Sequence, residues 1–181
     1  MNDKIKDFYE NQKFARITRK VTPKTEMISR GYIVDYSDKF VVLQVTDDFK
    51  LMGFEIFPVQ SIVKIRYNKN DKYYDKIMVW ENEKGGLGIK TKVDLLSWTT
   101  IMKTFQKRKV NIIIECEDPD IDSFTIGPVE RIIEKSVYVR YFDATGFFDK
   151  KLTKINFEDI SKITFDDRYI DVFSKYTRKR K

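Results

Sequence analysis

The chain has 181 residues, with 35 Lys and Arg against 28 Asp and Glu, one Cys and no His. Without His there is no Ser-His-Asp triad, no Cys-His pair and no His metal ligand. One Cys excludes an internal disulfide, so a reducing, cytoplasmic home is expected.

Hydrophobic residues at 41% and aromatics at 14% suffice for a packed core, in one large domain or two small ones. The start, Met1-Asn2-Asp3-Lys4-Ile5-Lys6-Asp7, lacks the apolar stretch of a signal peptide. No window approaches about 18 consecutive apolar residues, so no membrane span is expected.

In chain order, residues 3–12 read as a short polar helix with Ile5, Phe8 and Tyr9 on one side. Strands follow at 14–19, 32–36, 40–45, 54–57 and 62–67, each rich in β-branched and aromatic residues. Turns fall at Pro23, Gly31, Ser37-Asp38, Asp47-Asp48 and Pro58. Tyr74, Ile77 and Met78 give residues 71–82 a helical spacing, and Gly85-Gly86-Leu87-Gly88 breaks the chain. A second amphipathic helix fits 93–108, with Leu95, Trp98, Ile101, Met102 and Phe105 on one stripe. Further strands are expected at 110–116, 124–133, 137–142, 151–157 and 160–165, and a closing helix at 168–176.

The order repeats. A shift of 96 residues brings Pro23 onto Pro119, Gly31 onto Gly127, Val41 onto Val137, Asp47 onto Asp143, Tyr73 onto Tyr169 and Asp75 onto Asp171. A shift of 98 brings Phe57, Ile62 and Ile65 onto Ile155, Ile160 and Ile163. Duplication is therefore expected, with five short strands per repeat bent into a small barrel that removes most exposed edges.

The stretch from Gly31 to Leu43 resembles the first motif of Sm-like proteins through Gly31, Ile33, Phe40 and Leu43, and the second repeat matches it at Gly127 and Val129. The resemblance implies an Sm-like or SH3-like barrel. It does not carry over the family's RNA pocket. The position of the family's Asp holds Ser37, and that of its RNA-contacting Asn holds Val41 and Val137. The second family motif would fall on Ile65-Arg66-Tyr67 without its Gly, and on Ile163-Thr164-Phe165 without its Arg or Gly.

Candidate chemistry is sparse. Asp118, Asp120 and Asp122 have the spacing of a calcium loop, but Ser123 and Val129 stand where it needs Gly and Glu, so no metal is expected. Arg16, Arg19, Lys20 and Lys24 make the corresponding loop of the first repeat basic. The contrast suggests an electrostatic polarity for barrel packing or self-association. Cys116 reads as a half-buried small residue. Asp35, Asp47, Asp48, Asp143 and Asp149 are available for paired-carboxylate chemistry, but Asp47 and Asp143, at matched positions, read as turn residues after a strand. Trp80 and Trp98 read as helix residues packed into cores, with an exposed Trp as a partner-binding anchor the alternative.

Nine of the 35 basic residues form two local clusters, Lys103, Lys107, Arg108 and Lys109, and Lys175, Arg178, Lys179, Arg180 and Lys181. They carry more than the whole net charge of +7 and leave the remainder slightly acidic. They are the candidate contacts for nucleic acid or another anionic partner. Tyr67, Tyr73, Phe147 and Phe148 are candidate base-stacking rings.

The expectation is a mostly β protein. Residues 1–82 form a first barrel with helices at both ends, 83–92 a Gly-rich linker, and 93–181 a linking helix, a second barrel and a basic tail. The expected function is non-enzymatic binding of an unknown protein partner without a cofactor, with RNA or single-stranded nucleic acid as the alternative and self-association open.

Overall fold

The computed structural model describes residues 1–178. Among them the protein is mostly β, with ten strands and four α-helices. It divides into two compact units, Met1–Lys92 and Val93–Lys181.

The first unit runs α1 (Asn2–Glu10), β1 (Phe14–Lys20), β2 (Glu26–Tyr36), β3 (Phe40–Asp47), β4 (Lys50–Pro58), a 3-10 turn (Val59–Ser61), β5 (Ile62–Arg66) and α2 (Lys69–Trp80). Its antiparallel strands lie in the order β5-β1-β2-β3-β4. Alternation along β1 splits the side chains between two faces. Ala15 and Ile17 join Ile5 and Phe8 of α1, with Ile33, Leu43, Phe57 and Ile65, in one core. Phe14 faces the other way and packs with Tyr32 and with Met78 of α2.

Arg19 shares the inward face of β1 and is 1% exposed, so it is not part of a basic loop surface. Its Nε donates to Ser29 Oγ at 3.1 Å, and Ser29 Oγ donates to Glu55 Oε2 at 2.6 Å. Its guanidinium lies 5.1 Å from the centre of the Phe57 ring. These partners offset a desolvation that would otherwise cost several kcal/mol.

The Gly-rich stretch is packed onto the first unit and is not a free connector. Glu83 Oε2 accepts from the Leu51 amide at 3.0 Å, Gly88 N donates to Gln44 Oε1 at 3.0 Å, and Leu87 packs against the Phe14 cluster.

The second unit runs α3 (Trp98–Arg108), β6 (Asn111–Cys116), β7 (Ser123–Ile133), β8 (Ser136–Val139), β9 (Thr153–Asn156), a 3-10 turn (Phe157–Asp159), β10 (Lys162–Phe165) and α4 (Arg168–Lys175). Its strand order is β10-β6-β7-β8-β9. The expected helix at 93–108 begins only at Trp98, because Ser97 caps it by accepting from Thr100 N. On one face Ile113, Ile126 and Phe142 pack with Ile170 of α4. Asn111 Nδ2 donates to Ser174 Oγ at 2.8 Å, which ties α4 to β6.

The two units share their internal geometry. In each, the first helix lies against the second strand and the last helix against the first strand. The pairing of β2 with β3 slips between Ile33 and Asp35, and that of β7 with β8 slips between Val129 and Arg131, 96 residues on. Val41 opposes Phe57 and Val137 opposes Ile155, which gives the offset of 98 on the fourth strand. The match of Tyr73 with Tyr169 is not an equivalence. Counted from the helix caps Asn68 and Asp167, Tyr73 is the fifth residue of α2 and Tyr169 the second of α4.

Each unit contributes five strands, and the sheet is open rather than closed, unlike the expected barrels. The β3–β4 connection is a tight hairpin with Asp48 and Phe49 at positive φ, whereas β8 and β9 are separated by residues 140–152.

Gly31 and Gly127 have φ of 156° and 154°, and a Cβ on either would collide with a carbonyl oxygen, that of Gln44 on β3 or of Arg140 just past β8. Gly31→Ala and Gly127→Ala are each expected to cost about 2 kcal/mol or more. Urea denaturation checks this, and wild-type midpoints would refute it.

Candidate functional site

Helix α2 is held by its acidic residues. Asn68 caps it, accepting from the amides of Asn70 at 3.0 Å and Asp71 at 3.2 Å, while Asp71 Oδ2 accepts from Asn68 N at 2.8 Å. Arg66, at the end of β5, donates to both Asp71 oxygens, at 2.9 and 2.8 Å. This forked pairing sets the angle at which the helix leaves the sheet.

One turn on, Asp75 is the hub of a second network. Tyr32 Oη donates to its Oδ1 at 2.8 Å, Tyr67 Oη to its Oδ2 at 2.9 Å, and Lys84 Nζ to Oδ1 at 2.9 Å. Lys84 Nζ also donates to the Gln12 carbonyl at 2.8 Å. Burial first, and then the hydrogen bond to Asp75, push the Tyr67 phenol up to about 12 and that of Tyr32 up as well. Both phenols therefore stay protonated donors near neutral pH, and the network ties α2 to the sheet.

Asp71, Asp75 and Met78 form the inward stripe of α2, so the outward stripe is Lys69, Tyr73, Lys76 and Trp80, joined by Lys72 and Ile77. Trp80 is 66% exposed and Tyr73 59%. Their rings meet edge to face at 6.1 Å and form one apolar ridge. Among the described residues, none of the three lysines has a carboxylate within ion-pair distance. The expectation that both tryptophans pack into cores is thus corrected for Trp80, while Trp98 is half-buried. Sequence periodicity missed this face because Tyr73-Tyr74 and Ile77-Met78 supply two adjacent apolar stripes. The signal that separates them is Asp71 and Asp75 at one-turn spacing on the Met78 side.

The last helix of the second unit also exposes apolar residues, Tyr169 and Val172, beside Phe124, with Tyr176 at its C-cap. Their charged neighbours are mixed, Arg168, Asp171 and Lys175.

Lys103 in the middle of α3, Lys107 and Arg108 in its last turn and Lys109 just after it are exposed. Lys109 and Lys175 line one shallow depression, but Asp166 and Asp171 line it too and offset their charge. Lys103, Lys107 and Arg108 are not part of that lining. Arg178 is docked: its amide donates to the Gly146 carbonyl at 2.6 Å and its guanidinium lies 4.3 Å from the centre of the Phe147 ring. Lys179, Arg180 and Lys181 lie outside the described residues.

Of the four candidate stacking rings only Tyr73 is exposed. Tyr67 is bound to Asp75, Phe147 lies under Arg178, and Phe148 packs on Phe142. Cys116 is 2% exposed, so it is fully rather than half buried, and burial pushes its thiol up. In the acidic loop, Asp118 Oδ1 accepts from Asp120 N at 3.0 Å, which closes a turn.

Burial alone would raise the Asp71 carboxyl, but Arg66 and the Asn68 amide outweigh it and hold Asp71 below its usual value of 3.8. A depressed carboxyl stabilises the fold above its unfolded value, and that stability is lost as pH falls through the folded one. Asp71→Asn is expected to be less stable than wild type at pH 7, with the gap narrowing on acidification. Urea titrations at several pH values check this, and a gap independent of pH would refute it. Comparison with protein-family models, with curated proteins and with solved structures gave no match.

Proposed function

We propose that the chain is a non-enzymatic interaction protein whose docking face is the outer stripe of α2. The exposed ridge of Tyr73 and Trp80 between Lys69, Lys72 and Lys76 carries this reading. Exposed Trp and Tyr are the residue types that anchor protein contacts. These lysines, none with a carboxylate within ion-pair distance among the described residues, select a partner segment with acidic residues flanking an apolar one. The contact of Tyr73 with Trp80 favours a protein over single-stranded nucleic acid, because interlocked rings make one ridge rather than two separate stacking platforms.

The same proposal covers the architecture. Each unit is taken as an opened Sm-like or SH3-like barrel, and the pair as a duplication. The shared strand order, the slips at Ile33/Asp35 and Val129/Arg131, and the paired Gly31 and Gly127 support it. A cytoplasmic location is proposed from the single Cys; no helix among the described residues is long and apolar enough to cross a membrane.

The test places a photo-crosslinking residue at position 80, or at Lys4 as a control, in cells that make the protein. Protein adducts are expected from position 80 only, and the triple reversal Lys69→Glu, Lys72→Glu and Lys76→Glu is expected to abolish them. Nuclease-sensitive adducts would replace this reading with the nucleic-acid one. Equal yields from positions 4 and 80, or none, would end it.

A further inference from the structure

The strand registers of the first unit place Arg16 directly opposite Arg30 on β2 and directly opposite Arg66 on β5. Opposed residues project from the same face of a sheet, with Cβ atoms about 4.5–5.5 Å apart. Three guanidinium side chains therefore stand in one row across β5, β1 and β2. The next row on that face pairs Thr18 with Lys64 and adds a fourth cation.

Like charges directly opposite one another destabilise a sheet. Only Arg66 is tightly neutralised, by its two hydrogen bonds to Asp71. Among the described residues, neither Arg16 nor Arg30 has a carboxylate within ion-pair distance. Arg16 is half-buried, and burial first, then Arg30 and Arg66, hold its guanidinium below its usual value.

The fold does not require this row. In the second unit Ile113 opposes Ile126 and Thr164 at the corresponding register, and both isoleucines are buried in an apolar cluster with Ile170 of α4. The same position thus takes an apolar row in one unit and a repelling cationic row in the other. An anionic ligand between the arginines would offset that repulsion.

We propose that Arg16 and Arg30, flanked by Arg66 and Lys64, form a binding site for a phosphate monoester dianion, borne by inorganic phosphate or by a small phosphorylated molecule. Two guanidinium forks on adjacent strands can each give paired hydrogen bonds to one tetrahedral oxyanion. Among the described residues, Arg16 and Arg30 have no carboxylate within ion-pair distance, though Asp71 attracts Arg16 from farther off, and together they match a charge of about −2. The cationic stretch is short. Phe14 and Tyr32 end it on one side, packed with α2, and the pair of Lys20 with Glu26 ends it on the other. It covers two rows, roughly 7 Å along the strands, which suits one phosphate rather than a tracked nucleic-acid backbone.

The test uses the full chain, with inorganic phosphate and phenyl phosphate as probes against chloride of equal ionic strength. A third arm is a single-stranded RNA oligomer without terminal phosphates. Calorimetric titration of the wild type up to about 10 mM probe is expected to show saturable binding, and the melting temperature is expected to rise by a few degrees. Arg16→Gln and Arg30→Gln are each expected to weaken the phosphate probes about tenfold or more. Arg16→Lys, which keeps the charge but loses the fork, is expected to fall between them and wild type.

Binding of inorganic phosphate and of phenyl phosphate would separate a free-ion site from one that also admits an organic group. No saturable binding by the wild type would overturn the proposal without any variant. Equal binding by wild type and both Gln variants would overturn it too. So would RNA binding tighter than phenyl phosphate with the same dependence on Arg16 and Arg30, in favour of a nucleic-acid site. None of these outcomes bears on the α2 face, whose lysines and aromatic rings are left unchanged.

Discussion

The carboxylates of Asp71 and Asp75 decide which way α2 faces. A helix with two aromatic stripes could bury either. Burying the side that carries Asp71 and Asp75 is tolerable only because the sheet presents Arg66 to one and Tyr32, Tyr67 and Lys84 to the other. A buried carboxylate without such donors would cost several kcal/mol, of the same order as the stabilisation from covering Tyr73 and Trp80. The donors remove that cost on the Asp71 side, and the ridge of Tyr73 and Trp80 is left exposed on the other.

Much of the fold was legible in the sequence because strand alternation is a short-range signal. All ten strands and four helices overlap their expected places, but β2 begins at Glu26 and runs through Gly31, where a turn was expected; the offsets of 96 and 98 reappear as strand registers. Strand ends were less legible. β8 stops at Val139, and Phe142 survives only as an isolated bridge to Phe148, because residues 140–152 form turns closed by the Asp143 side chain. Closure of the sheet was illegible for a different reason: it depends on the accumulated bend of the strands, which no local pattern reports.

The site was less legible than the fold. Charge counting pointed to Lys103–Lys109 and the tail because those cations are adjacent in sequence. Arg16, Arg30 and Arg66 are scattered in sequence and meet only through the registers of β1 with β2 and β5. Arg19 shows the reverse error. It sits among basic neighbours in the sequence, yet alternation turns it inward, onto Ser29 and Phe57. A cluster read along the chain and a cluster read across strands are different objects, and only the second tells which charges can hold one ligand.

The contact between Asn111 and Ser174 has a consequence for folding. Counted from the helix caps, Ser174 occupies in α4 the place of Asp75 in α2, and Pro128 and Phe165 occupy the places of Tyr32 and Tyr67. A neutral pair thus replaces a charged hub. Were α2 to dock on the second sheet during folding, Asp75 would meet no phenol and no ammonium, and its charge would be stranded. Two similar halves on one chain invite exchange of equivalent elements. The unlike chemistry under their last helices makes each helix specific to its own sheet, so the halves can share a plan without trading parts.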